Sequence, residues 1–61
     1  MVQPGELRGK ALFGSRAVYR VIAVDGELVE VEVVEAPGLA AGERFRFTLE
    51  AVAEMVLLEA L

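Results

Sequence analysis

The nine residues Glu27-Leu28-Val29-Glu30-Val31-Glu32-Val33-Val34-Glu35 decide the fold. Valine at 29, 31 and 33 alternates with glutamate at 30 and 32, the two-residue period of a strand with one face buried and the other in water. Every neighbouring segment can be placed against this strand.

Upstream, Arg16 to Ala23 is rich in β-branched and aromatic residues (Val18, Tyr19, Val21, Ile22) and predicts a second strand, apolar on both faces. Between the two, Asp25-Gly26 is a hairpin signal, because glycine accepts the positive φ of a tight reversal. A two-residue loop would pair Val24 with Glu27 and put Arg20 among the valines, a buried charge that costs several kcal/mol unless paired. A three-residue loop, Val24-Asp25-Gly26, pairs Ala23 with Glu27, sets Tyr19 and Val21 beside the valines, and turns Arg20 outward opposite Glu30. The three-residue loop is therefore expected.

Downstream, Ala36 to Gly42 is turn-rich, and Glu43 to Phe47 alternates again, with Phe45 and Phe47 on one face and Arg44 and Arg46 on the other. An antiparallel return sets Val33 near Phe45, Val31 near Phe47 and Glu32 near Arg46. Arg20, Glu30, Glu32, Arg44 and Arg46 then form a ladder of alternating sign, each exposed pair worth ~0.2–1 kcal/mol.

At the start of the chain, residues 1–6 contain Pro4-Gly5 and no periodicity, which predicts a flexible N-terminal arm. Leu7 to Phe13 alternates imperfectly around Gly9 and predicts a short edge strand, with Gly14-Ser15 as the turn into the next. At the other end, Leu49, Val52, Ala53, Val56, Leu57, Ala60 and Leu61 follow the spacing of an amphipathic helix with Thr48 as N-cap. Phe47 is still strand, however, so no connection remains in which such a helix could turn back over the sheet. The expected arrangement is one helical turn, Leu49 to Ala53, and a last strand, Met55 to Glu59. The alternative is an antiparallel sheet of three to four strands with a C-terminal helix from about 48 to 60. Four strands, a helical turn and a fifth strand resemble in architecture an SH3-like small barrel. The fold class is thus read as mainly β, a small antiparallel five-stranded SH3-like barrel forming a single domain over 7–61.

Sixty-one residues make one domain, and a chain of that size buries only ~60% of the surface its unfolded form exposes. With no cysteine and no histidine, neither a disulfide nor a structural zinc is available, and no cofactor is expected. The formal net charge of -4 opposes general attraction to nucleic acid or anionic membrane. No segment has the pattern of a signal peptide or a membrane span, which makes the cytoplasm the default location. The absence of asparagine and the five arginines against one lysine lean towards a thermophilic source.

An enzyme needs groups that attack, exchange a proton or hold a metal, and nothing here activates the single serine, Ser15. Gly5 to Ala11 superficially matches a phosphate-binding loop, yet its glycines are one residue too close and alanine stands where a Mg²⁺-binding hydroxyl belongs. No catalytic residue is expected. Two binding surfaces remain. Arg20, Arg44 and Arg46 form a candidate nucleic-acid face, disfavoured because Glu30 and Glu32 interleave with it. Val18, Ile22, Val34, Leu39 and Leu58 form a candidate protein interface, most simply that of a homodimer, with a second small core under the terminal segments as the plainer reading. An apolar fraction of 56% in so small a domain favours the interface. The expected function is a non-enzymatic interaction module that acts through protein contacts and self-associates.

Overall fold

The computed structural model describes residues 1–60. Its elements are β1 (Leu7–Leu12), β2 (Ser15–Asp25), β3 (Leu28–Glu35), β4 (Arg44–Thr48), a short helix α1 (Leu49–Ala53) and β5 (Val56–Glu59). All strand pairs are antiparallel, in the order β4-β3-β2-β1-β5. The helical turn and final strand stand where the sequence places them, and the long C-terminal helix does not form. Leu61, part of that helical pattern, lies outside the described residues.

The sheet is open, which corrects the expected SH3-like barrel. Among the described residues β4 bonds only to β3 and β5 only to β1, so each keeps a free edge. α1 carries the chain across the core from one edge of the sheet to the other. Thr48 caps it, its Oγ1 accepting from the Ala51 N–H at 3.1 Å, and Val52 is its one buried residue. The expected edge strand near the N-terminus is also corrected, because β1 sits between β2 and β5.

The three-residue loop is not found either. Asp25 pairs with Leu28 around the two-residue loop Gly26-Glu27, with φ +63 at Gly26. A two-residue hairpin with glycine leading suits the right-handed twist of its strands. By itself this turn would put Arg20 on the valine face. A bulge between Val21 and Ala23 absorbs the extra residue and restores the parity, so that Val21 faces Val31, Tyr19 faces Val33 and Arg20 faces Glu32. The β3–β4 ladder is likewise shifted by two residues from expectation, with Val31 opposite Phe45 and Val29 opposite Phe47. A slip of two keeps every side chain on its intended face.

The inner face gathers Ala17, Tyr19, Val21, Val29, Val31, Val33, Val52 and Met55, with Phe45 and Phe47 packed against them. Tyr19 meets Phe47 edge-on at 5.2 Å between ring centroids. Val2 belongs to the same cluster. The N-terminal residues expected as a loose arm instead extend the β1–β2 ladder: the Gly5 N–H donates to the Val21 carbonyl at 2.8 Å, and the Val21 N–H to the Glu6 carbonyl at 2.9 Å.

Candidate interaction surfaces

Three arginines were candidates for an anion-binding face, and the geometry disperses them. Arg44 is paired twice, its Nη1 3.3 Å from Glu30 Oε2 and its Nε 3.6 Å from Glu32 Oε2. Arg46 stands across from Glu30. Arg20 leaves the ladder, Nη1 donating to the Gly5 carbonyl at 2.9 Å and so holding the N-terminal segment down. The expected chain of alternating charges reduces to one arginine between two glutamates.

The apolar candidates divide as well. Val18 is only 6% exposed. It pairs with Gly9, over which Leu58 lies so closely that a Cβ there would come within 2.8 Å of Leu58 Cδ1. Val18 thus has cover from the last strand, and Leu58 keeps an exposed flank. Ile22 is half-buried at the bulge, and Val34 and Leu39 are exposed at separate places, on β3 and on the following loop.

One buried charged pair escaped the sequence reading. Arg8 donates to Glu6 Oε1 through Nε at 3.0 Å and Nη2 at 2.9 Å, and through Nη1 to the Met55 carbonyl at 3.1 Å. Both side chains are buried. The planar guanidinium fork binds the carboxylate side-on and still reaches the chain just before β5, a geometry that lysine does not offer. Burial pushes the Glu6 carboxyl up, but the hydrogen bond from Arg8, one from the Gln3 backbone, and the charges of Arg8 and the N-terminus outweigh it and hold the group below its ordinary value. A carboxylate more acidic in the folded than in the unfolded chain stabilises the fold above the unfolded pKa, and that contribution is lost as pH falls through the folded one. The urea midpoint is therefore expected to fall as the pH is lowered below about 4.5; in a Glu6→Gln variant the fall should be shallower.

The two sheet edges differ. β4 is guarded, with exposed Arg44 and Arg46 along it. β5 presents Val56, Leu57 and Leu58 at 64, 47 and 44% exposure, with Glu59 as its one charge. Proteins block free strand edges with charge, proline or short length, and β5 has short length and one terminal carboxylate.

The β1–β2 hairpin tip is unusual in another way. Phe13 is fully exposed, at 107%, and sits at φ +39, ahead of Gly14 at φ +84. Two successive positive φ values make the primed turn that suits a hairpin, where Asn-Gly is the preferred pair. A phenylalanine there is strained without burying anything.

No protein-family model, curated protein or solved structure matches the chain. Among the described residues no three metal-ligating side chains cluster, and no helix is long and apolar enough to cross a membrane.

Charge is unevenly distributed along the chain. From Leu7 to Val24 there are four basic residues and no acidic one, while all ten acidic residues lie outside, beside only two arginines. Arg8 and Arg20 are engaged with Glu6 and the Gly5 carbonyl. Lys10 and Arg16 are exposed, flank Phe13 across the hairpin, and have no ion pair among the described residues. Glu54 and Glu35 line depressions beside them without reaching pairing distance.

Proposed function

We propose that this protein is a non-enzymatic interaction module that works through protein contacts and associates with itself, using the free edge of β5. The observation that carries the reading is the contrast between the two edges, one lined by arginines and the other by three consecutive exposed aliphatic residues. An unpaired strand offers its outward N–H and C=O groups as a template for another strand, and apolar side chains on both faces add burial to those bonds. A second β5 running antiparallel across a two-fold axis meets this need, since it is apolar on both faces and places each Glu59 away from its copy.

Leu57→Lys sets a charge on that edge at a half-exposed position, where the cost to the fold itself is about 0.5 kcal/mol or less. Sedimentation of the wild-type chain at micromolar concentration should show species above 6.6 kDa, and the Leu57→Lys chain should dissociate at least about tenfold more readily. A wild-type protein that stays at 6.6 kDa throughout the concentration series would end the reading.

A further inference from the structure

Four residues of β5 are few beside the roughly 20 a side that a standard interface uses. The poles of the long axis supply a further surface. β2 runs for eleven residues along a molecule 30 Å long, so the β1–β2 turn and the β2–β3 turn lie at opposite ends. At the first, Phe13 projects between Lys10 and Arg16, two cations without an ion pair among the described residues. At the other lies a depression lined by Glu27, Leu28, Thr48, Leu49, Glu50 and Ala53. Its walls are apolar where Leu28, Leu49 and Ala53 face it, and it carries two carboxylates, neither in an ion pair among the described residues.

We propose that the Lys10-Phe13-Arg16 finger of one copy docks into the Glu27-Leu28-Leu49-Glu50-Ala53 depression of a second copy, joining molecules head to tail. An exposed aromatic ring finds apolar walls, and two cations find two carboxylates. The strained backbone at Phe13 is then accounted for, because the strain presents a side chain that becomes buried only in the assembly. Such a contact uses two different surfaces, so it repeats into a ring or an open filament, whereas β5 pairing ends at a dimer. It deepens the self-association reading and rests on it, while depending on none of the β5 residues.

The decisive experiment uses two defective chains. Phe13→Asn removes the ring and relieves the turn, so the fold is expected to melt no lower than wild type. Glu27→Lys with Glu50→Lys reverses the charge of the depression at exposed positions. Each variant alone should lose every species larger than a dimer and weaken association at least about tenfold. Mixed, they should join one to one, because each supplies the pole that the other lacks, and 0.5 M salt should dissolve that complex by screening. If both variants assemble as the wild type does, the head-to-tail contact is overturned and β5 pairing stands. If the wild type never exceeds 6.6 kDa, the self-association reading falls with it. If Phe13→Asn leaves assembly unchanged but abolishes salt-sensitive binding of a fluorescent single-stranded oligonucleotide, the finger serves nucleic acid and the proposal is overturned.

Discussion

Arg8→Met is expected to destabilise the fold more than the double change Glu6→Leu with Arg8→Met. The single substitution removes all three guanidinium hydrogen bonds at once, leaving the Glu6 carboxylate buried beside methionine and the Met55 carbonyl without its donor. Breaking a buried ion pair from one side strands a charge, whereas replacing both partners by apolar side chains of similar size removes that penalty. The urea midpoints should therefore fall in the order wild type, double variant, single variant. The single variant should also respond less to acid than the wild type. With Arg8 gone, its hydrogen bond and its charge no longer lower the Glu6 pKa, so the stability that the wild type loses as pH falls below about 4.5 is reduced. An Arg8→Met midpoint equal to or above that of the double variant would show that Glu6 is solvated.

That pair shows where sequence reading stops. Glu6 and Arg8 lie in a stretch with no usable period, and their burial depends on a carbonyl 47 residues away in sequence. Nothing local announces it. The strands β2 to β4 were legible because the facing of Val29, Val31, Val33, Phe45 and Phe47 is fixed by alternation alone. Register was not, since sliding a ladder by two residues preserves every face and changes only which pairs meet. The choice lay with the turn, and the chain uses the tight Gly26 turn with a bulge at Ile22 where the sequence suggested a wider turn. Openness was illegible for a related reason. The order of elements is the same whether or not β4 and β5 meet, and only the path of α1 over the core decides it. Of the apolar candidates Val34, Leu39 and Leu58 are exposed while Val18 is buried, and the sequence counted Phe13 as part of a strand. The run without acidic residues around Phe13 could have been seen in the sequence; the strained turn that exposes the ring could not.

The corner formed by α1 is the point on which β5, and with it the proposed edge, depends. A helix of five residues cannot persist by its own hydrogen bonds, because nucleation is unfavourable and there is almost no propagation to offset it. What holds it is Val52, fully buried in the main cluster, with Thr48 closing the first turn. Val52→Ala removes two methyl groups worth ~0.8 kcal/mol each in transfer and leaves a cavity, for a total of about 2–3 kcal/mol. The better helix propensity of alanine returns no more than ~0.7 kcal/mol. In a domain of this size the net loss lowers Tm by roughly 10–20 °C. Val56→Ala, at a 64% exposed position one residue past Met55, is the control and should stay within about 0.5 kcal/mol of wild type. Hydrogen exchange separates a local from a global effect. In the Val52→Ala chain the amides of β5 should lose protection before those of β2 and β3, because among the described residues β5 pairs with β1 alone and the chain enters it directly from the corner. Equal loss of protection in all strands would mean that α1 and β5 unfold only with the whole domain, and that the β5 edge is as fixed as the valine strand at the centre.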